Sequence, residues 1–291
     1  MKRLVLGDVT IDRIVELEGL GYDPSYFFPD STREGFEQEM GWLAPFFWDV
    51  KADTYLRSIQ CFLVRTQHHT VLVDACVGNE KPRPSTPAWD GLKSTWLDQL
   101  AAAGVQPEAI DYVLCTHLHA DHIGWNTRLA NGRWVPSFPN AKYIFHKDEY
   151  RHWEEHDDPL EGPGTADSSF EDSVLPVMAA GQAVLVDNDF AIDDRITLDP
   201  TPGHSPGHVC IDVNSGGKRA VLAGDVVHHP IQIARPEWNS RFCLDPVLSR
   251  RTRQSFVERH AETDTIILPA HFATPVAGRI VRNGARCKFV V

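Results

Sequence analysis

The sequence predicts an α/β protein in which strands and helices alternate along the chain. Apolar segments with the alternation or continuity of β-strands recur throughout the 291 residues, and segments with helical spacing separate them. No linker divides the chain, and its apolar fraction of 42% is typical of a globular protein. We therefore expect a single domain over residues 1–291.

The first fifty residues predict two strands followed by an aromatic segment. Residues 4–6 and 11–18 have strand character, and the second stretch alternates apolar and polar side chains. Residues 19–50 show no clean period and contain nine aromatic side chains. A long irregular stretch this aromatic is not typical of disorder. It indicates an insertion that packs over the core or against a second subunit, or that forms a wall over a substrate pocket.

Strands and helices then alternate to the end of the chain. Residues 110–115 are nearly continuously apolar, as expected of a strand buried on both faces. The predicted strands are 58–65, 70–74, 110–115, 142–146, 183–186, 196–198, 208–213, 219–223 and 265–268, and the predicted helices are 92–100, 147–155, 169–179 and 246–260.

Charge and composition limit the classes of partner. The chain has 28 basic and 40 acidic residues and a net charge of −12, which argues against nucleic acid and anionic membranes as partners. No apolar run approaches the roughly 20 residues that cross a bilayer. The six cysteines are scattered without a Cys-x-x-Cys pair, which predicts free thiols and a cytoplasmic setting. A small-molecule substrate is the partner that fits.

Four side chains that commonly bind metals follow the predicted buried strand. His117, His119, Asp121 and His122 lie within six residues directly after it. Extended residues two apart face the same side, so His117 and His119 can reach one ion together. Asp121 and His122 stand where the strand gives way to a turn, which can direct them to a second ion. A solvated loop of histidines is the alternative, but clustering this dense beside a core strand is costly without a ligand.

The motif His-x-His-x-Asp-His resembles the signature of the metallo-β-lactamase-fold superfamily. His204, Asp225 and His271 match the later residues of that family's pattern, in the same order. Asp74 matches an early Asp that lies behind the metal loop, although many relatives have Asp-x-Gly where this chain has Asp-Ala-Cys. The resemblance extends from about residue 58 to residue 271. It implies a four-layer αββα sandwich.

The resemblance also implies two adjacent divalent metal ions. Imidazole nitrogen and carboxylate oxygen without thiolate suit Zn²⁺, with Mn²⁺, Fe²⁺ or Co²⁺ as alternatives. Two close cations lower the pKa of a shared water toward neutrality and supply a metal-bridging hydroxide. By position, His117, His119 and His204 would hold one ion, Asp121, His122 and His271 the other, and Asp225 would bridge them.

The pattern is most similar to the branch of quorum-quenching lactonases and organophosphate hydrolases. Many of these lactonases place a Tyr three residues after the bridging Asp, where this chain has His228. His228 is therefore a candidate oxyanion donor or proton shuttle, and a supporting or surface histidine is the alternative. Asp121 is a candidate acid for the departing alkoxide. We expect Asp121, Asp225 and His228 to have catalytic roles.

These observations predict a dinuclear metal-dependent hydrolase of ester bonds, with a lactone as the favoured substrate. The aromatic segment 19–50 would supply an apolar wall for part of the substrate and a surface for a homodimer. A phosphotriester or an arylester is an alternative substrate for the same site. An alternative of another class is a mononuclear iron sulfur dioxygenase, because some relatives with the same loop oxidise sulfur compounds.

Overall fold

Residues 3–155 and 168–291 are described by the computed structural model. Contacts within the chain define two units. We call residues 2–16 and 59–190 the central unit, and residues 17–58 and 191–291 the C-terminal unit. The single domain over 1–291 stays a prediction. None of the helices within 3–155 and 168–291 is both long and apolar enough to cross a bilayer.

Strands and helices alternate in these residues, as predicted. The strands are β1 (Arg3–Leu6), β2 (Val9–Leu20), β3 (Trp48–Asp49), β4 (Thr54–Arg65), β5 (Thr70–Val73), β6 (Tyr112–Leu114), β7 (Thr127–Ala130), β8 (Arg133–Pro136), β9 (Lys142–His146), β10 (Ala183–Val186), β11 (Ile196–Pro200), β12 (Val209–Ser215), β13 (Lys218–Leu222), β14 (Ile266–Leu268), β15 (Arg279–Asn283) and β16 (Arg286–Val290). The helices are α1 (Pro24–Phe27), α2 (Arg33–Leu43), α3 (Trp96–Ala102), α4 (Ala120–Ile123), α5 (Lys147–Glu155), α6 (Ser169–Ser173), α7 (Leu175–Ala179), α8 (Ile231–Ala234) and α9 (Pro246–His260).

The large sheet has the strand order β1-β2-β4-β5-β6-β9-β10, and β3 pairs with β4. β6 lies between β5 and β9 and is parallel to both. Val113 and Leu114 are buried, so the prediction of a strand covered on both faces is confirmed. Parallel strands end at the same edge of a sheet, and Asp74 donates its backbone N–H to the Leu114 carbonyl at 2.9 Å. The residues that follow β5 and β6 therefore lie side by side.

The C-terminal unit holds a second sheet of order β11-β12-β13-β14 and a two-stranded sheet of β15 and β16. β13 and β14 are parallel, and Leu222 is the register partner of Leu268. Ala223 continues this pairing by donating its backbone N–H to the Leu268 carbonyl at 3.0 Å. The residues that follow β13 and β14, including Asp225 and His271, thus leave one edge of the sheet together.

The expectation that residues 19–50 lack regular structure is wrong, because they contain α1, α2 and β3. α2 begins after Thr32, whose hydroxyl accepts the backbone N–H of Gly35 at 3.1 Å. Its buried face carries Phe36, Glu39 and Leu43, and the buried acid breaks the apolar spacing that would indicate a helix. The expectation that the segment packs into a core is confirmed by its buried side chains Phe27, Phe28, Phe36, Phe47 and Trp48.

Other differences have local causes. The helix predicted over 169–179 is two short helices, because Pro176 has no N–H to donate to the Asp172 carbonyl. That carbonyl instead accepts from Lys81 and Thr127. The hairpins β7–β8 and β15–β16 were not predicted, although two-residue turns with hairpin chemistry join them, Asn131-Gly132 in the first and Gly284-Ala285 in the second. α3 begins at Trp96, later than the predicted 92.

The cluster around Lys81 predicts a stability that depends on pH. Lys81 and Arg83 are fully buried and form ion pairs with Asp172 at 3.2 and 2.7 Å, and the Lys81 ammonium lies 3.7 Å from the centre of the Trp134 ring. Burial lowers the pKa of Lys81 to about 7, against the opposing charge of Asp172. An unfolded lysine has a pKa of about 10.4, so between these values the unfolded chain binds more protons and stability rises with pH.

We expect the free energy of unfolding of the wild-type protein to rise by roughly 1–3 kcal/mol from pH 7 to pH 10, relative to Lys81→Met. Urea unfolding of both proteins across this range is the measurement. Lys147→Met is the control, because Lys147 is exposed and pairs with Asp187. Parallel pH curves for wild type and Lys81→Met would contradict the expectation.

Candidate metal centre

The central unit brings the four residues of the His-x-His-x-Asp-His motif together directly after β6. The Nε2 atom of His117 lies 2.9 Å from Nδ1 of His119, and Nε2 of His122 lies 3.8 Å from Oδ1 of Asp121. The three imidazoles are buried, whereas the Asp121 side chain is 14% exposed. α4 begins after His119, which places Asp121 and His122 in its first turn.

Asp74 lies behind this loop, as the resemblance implied. Its carboxylate accepts the backbone N–H of Thr116 at 2.8 Å and the Thr116 hydroxyl at 3.0 Å. The same carboxylate lies 2.9 Å from Nδ1 of His122. A proton on Nδ1 sets the tautomer in which Nε2 carries the lone pair, which is the form that binds metals. Asp74 therefore orients His122 and selects its tautomer.

Two residues of α5, Glu149 and Trp153, support the motif and were not foreseen. The buried carboxylate of Glu149 accepts the backbone N–H of Leu118 at 3.0 Å and the Trp153 indole N–H at 2.7 Å. The Trp153 ring meets His119 edge to face, with ring centres 5.4 Å apart. The sequence signal was weak: the pair is four residues apart, one helical turn, on a helix that is otherwise polar.

The loop that follows β5 is joined to the loop of the His-x-His-x-Asp-His motif by backbone hydrogen bonds. Ala75 donates to the His122 carbonyl at 2.6 Å, and Gly124 donates to the Cys76 carbonyl at 2.7 Å. A Cβ added at Gly124 would lie 1.7 Å from the Val77 carbonyl oxygen, which is far inside contact distance. Only glycine allows this close approach of the two loops.

Gly124→Ala should therefore lower the free energy of unfolding by about 3 kcal/mol or more and weaken metal binding, because backbone must move on one side of the motif. Chemical denaturation and metal analysis of the purified protein measure both effects. Gly41→Ala in α2 is the matched control, since a Cβ there meets nothing within 4 Å. That control should be neutral or stabilising by about 0.5–1 kcal/mol. A Gly124→Ala protein as stable as wild type would show that the loops adjust.

In the C-terminal unit, three imidazoles surround the carboxylate of Asp225. Its Oδ2 atom lies 3.3 Å from Nε2 of His204 and 3.1 Å from Nε2 of His228, and its Oδ1 atom lies 3.1 Å from Nε2 of His271. All four side chains are buried. The loops after β11, β13 and β14 supply these residues, so sheet order brings together positions that are far apart in sequence.

Hydrogen bonds to neighbouring residues orient His271 and Asp225. Nδ1 of His271 lies 2.9 Å from the Ser58 carbonyl, so it donates there and leaves the Nε2 lone pair facing Asp225. The backbone N–H of Asp225 donates to Nε2 of His208 at 2.9 Å, and Nδ1 of His208 contacts the Thr201 hydroxyl at 2.8 Å. His208 is thus a residue that supports Asp225. Its role in holding Asp225 was not predicted.

His228 lies beside Asp225 and within an aromatic environment. Its ring stacks parallel to His271 at 5.7 Å and meets the Phe27 ring edge to face at 5.5 Å. Burial lowers the pKa of His228, while the charge of Asp225 opposes the shift. A neutral imidazole can donate one hydrogen bond and accept another. Segment 19–50 thus contacts His228 through Phe27.

The donor set fits a borderline metal ion such as Zn²⁺. Histidine and aspartate side chains of the kind that hold a metal lie in both units. Partners behind His122 and His271 set the tautomers of these two rings. Burial raises the pKa of the Cys115 and Cys210 thiols, which disfavours their thiolate forms. The chemistry of the residues therefore agrees with the ions that the resemblance implies.

Residues 54–271 match the family described as the Metallo-beta-lactamase superfamily. The chain belongs to this superfamily. The predicted α/β class and the metallo-β-lactamase fold are thereby confirmed.

Relatives of this superfamily member include lactonases and hydrolases. It is 30% identical over 171 residues to the N-acyl homoserine lactonase AttM of Agrobacterium fabrum, which is 57% of this chain and 61% of AttM. It is 27% identical over 175 residues to an N-acyl homoserine lactonase of Bacillus cereus, covering 56% of this chain and 61% of that protein. The match thus spans about three fifths of the length of these curated relatives.

Two solved structures extend the comparison over nearly the whole chain. The hydrolase AbOPH of the beta lactamase superfamily has a TM-score of 0.81 and 25% identity, covering 99% of this chain and 96% of its own. AidC, a dizinc quorum-quenching lactonase in complex with a product, has a TM-score of 0.76 and 19% identity at the same coverage. The likeness to AidC shows the fold alone.

Proposed function

We propose that the protein is a metal-dependent hydrolase of ester bonds and that its substrate is a lactone. The observation that carries this proposal is the convergence of His204 and His271 on the buried Asp225 carboxylate, all three at positions of the family's motif. His228 lies against the same carboxylate. A second buried donor cluster on the motif itself supports it. The relatives named N-acyl homoserine lactonases favour a lactone over other esters.

In this proposal the protein holds two divalent ions. Imidazole and carboxylate donors favour Zn²⁺, with Mn²⁺, Fe²⁺ or Co²⁺ as alternatives. The dizinc site named for AidC supports two ions rather than one. The proposed ligands are His117, His119 and His204 for one ion, Asp121, His122 and His271 for the other, and Asp225 shared between them.

The ions would supply Lewis acidity and lower the pKa of water so that it attacks at neutral pH. In hydrolysis, water adds its oxygen to the carbonyl carbon, the bond to the alkoxide oxygen breaks, and a proton passes to that oxygen. Asp121, the acid of the motif, has a side chain that is 14% exposed and would carry this proton. Neutral His228 can donate a hydrogen bond to the carbonyl oxygen as negative charge develops there. Phe27 excludes water on one side and contacts the apolar part of the substrate.

His228→Ala should lower kcat by about 10²-fold and leave the metal content unchanged, because His228 acts on the substrate and is not among the proposed ligands. Metal analysis and steady-state kinetics of the same preparation measure both quantities. His228→Gln keeps a donor and should recover part of the rate. An unchanged kcat on the best substrate would reduce His228 to a packing role.

A hydrolysis screen tests the reaction class directly. Lactones, arylesters, phosphotriesters and β-lactams are offered to protein loaded with Zn²⁺ and, separately, with Mn²⁺. Lactones should give the highest kcat/KM. Faster turnover of a phosphotriester or arylester would replace the substrate and keep the site. One iron per chain with oxygen consumption would contradict the hydrolase and indicate the sulfur dioxygenase.

We propose further that the protein is a cytoplasmic homodimer that contacts its partner through residues 19–50. Leu20, Tyr26, Phe46 and Val50 are exposed apolar side chains of that segment and support a protein contact. All six cysteines are free and buried, which supports a reducing compartment. Sedimentation of wild type and Phe46→Asp tests the dimer.

A further inference from the structure

Aromatic rings lead away from His228 within the C-terminal unit. The centres of the Phe27 and His228 rings are 5.5 Å apart. Tyr22 stacks on Phe27 with ring centres 5.9 Å apart and an angle of 11° between the planes. Phe242 contacts Phe27 from another side at 5.4 Å. Tyr22 and Phe242 are half-buried, so this path is partly open to solvent. It offers an apolar surface to a chain attached to the reacting group.

Two arginines lie on the tyrosines at the outer end of this path. The guanidinium carbon of Arg57 is 4.3 Å from the centre of the Tyr22 ring, and that of Arg241 is 3.8 Å from the centre of the Tyr26 ring. The two tyrosine rings are 5.9 Å apart. The backbone N–H of Arg241 donates to the Phe27 carbonyl at 2.9 Å, which ties it to the same cluster.

Neither arginine has a carboxylate within ion-pair distance among residues 3–155 and 168–291. Other arginines of the unit do: Arg250 pairs with Asp30 at 3.3 Å and Arg279 with Asp264 at 3.5 Å. The acid nearest in sequence to the two tyrosines, Asp23, caps α1 by accepting the N–H groups of residues 25 and 26. In a chain of net charge −12, two cations without an acid partner mark a place for an external anion.

The chemistry of these arginines suits an oxyanion. A guanidinium that rests its face on an aromatic ring keeps in-plane N–H donors for a carboxylate or phosphate. In Arg241 one of these donors, on Nη1, meets the Tyr26 carbonyl at 3.4 Å. Arg57 is half-buried, so its hydrogen bonds to an anion would be less screened than those on open surface. Arg57 also directly precedes Ser58, whose carbonyl accepts from His271. β4 therefore carries both a residue that orients a proposed ligand and an arginine at the outer end of the path.

We propose that Arg57 and Arg241 bind an oxyanion at the far end of the substrate, so that the substrate class is an ester or lactone whose apolar portion ends in a carboxylate or phosphate. This inference rests on the proposed function for the reacting end. The apolar middle of the substrate lies along Phe27 and Tyr22, and the anion meets the two guanidinium groups. Arg57 is then a residue that determines specificity.

Binding of non-hydrolysable amides tests this without catalysis. Three probes share one apolar chain and end in a carboxylate, a phosphate or a methyl group, and calorimetry gives each Kd. Wild type should bind at least one anionic probe about 10-fold more tightly than the methyl probe, the effect of one charge-assisted hydrogen-bonded contact. The tighter of the two anions identifies the natural group. Arg57→Met should reduce this ratio to about 1, and Arg57→Lys, which keeps the charge without the planar fork, should retain part of it.

Arg279→Gln is the control, because it removes an exposed positive charge of the same unit that has its own acid partner. It should leave the ratio at its wild-type value. Equal Kd values for anionic and methyl probes in wild type, or an equal loss for all three probes in Arg57→Met, would overturn the inference. Circular dichroism establishes that each variant is folded.

The same chains attached to a lactone separate this inference from the proposed function. A higher kcat/KM for the anionic lactone, lost in Arg57→Met, supports both. Lactone hydrolysis without any preference for the anion overturns the inference and keeps the hydrolase. Selective binding without hydrolysis of any lactone overturns the proposed function and keeps the oxyanion site.

Discussion

Asp225→Asn should remove bound metal and hydrolysis together, and it is the largest single effect we expect. Asp225 is buried and its two oxygens meet His204, His228 and His271 at 3.1–3.3 Å. The amide keeps the shape but loses the charge that faces them. Loss of a group behind a metal ligand typically costs 10–100-fold in metal affinity or activity, so loss of the shared ligand should cost more than about 100-fold. Metal per chain and kcat/KM are measured on one preparation.

Asp212→Asn is the matched control for a buried carboxylate of the same unit. Asp212 pairs with Arg219 at 2.8 Å in the second sheet and contacts none of the proposed ligands. Its variant should keep metal and activity even if it is less stable. Full metal content with unchanged kcat/KM in Asp225→Asn would show that the convergence on Asp225 serves stability alone.

His119→Ala is the second large effect. His119 presents Nδ1 to His117 at 2.9 Å, and its ring rests against Trp153. We expect the variant to lose at least one ion per chain and more than about 100-fold in kcat/KM, since a three-residue donor set cannot be completed. Trp153 offers a readout that needs no substrate: its fluorescence should change when Zn²⁺ is titrated into metal-free wild type, and should not change in His119→Ala.

His152→Ala provides the comparison for this experiment. His152 also contacts Trp153 edge to face, at 5.1 Å, but belongs to neither donor cluster. Its variant should bind metal with the wild-type fluorescence response. If His119→Ala still binds two ions, the assignment of the motif is wrong. If both variants lose the response alike, the signal reports packing around Trp153.

The supporting residues show why metal affinity should depend on the fold as a whole. Four supporting residues hydrogen-bond a backbone or ring atom of a proposed ligand or of its neighbour: Asp74, Ser58, Glu149 and His208. Such contacts set ring orientation and tautomer before any metal binds. A ligand set held in this way loses little conformational freedom on binding, which favours high affinity.

The local sequence pattern was sufficient to predict those elements whose burial follows from neighbouring strands or helical turns. Residues 110–115 are nearly continuously apolar because β6 is flanked by parallel strands on both sides. The motif that follows β6 is dense enough to indicate a metal site without its neighbours in space. α5 and α9 were predicted with the bounds the structure has. The pattern failed at α2, where the buried Glu39 pairs with Arg286 at 3.0 Å, a partner 247 residues away.

The sequence by itself determined the family, the motif and the α/β alternation, because these depend on residue types at short spacing. Only the tertiary structure decided which groups orient the proposed ligands: Glu149 below Leu118, His208 behind Asp225, and Ser58 behind His271. It alone placed Arg57 and Arg241 on neighbouring tyrosines. The physical reason is that hydrogen bonds and ring contacts act over a few ångströms in space, and strand order, rather than distance along the chain, sets which side chains come that close.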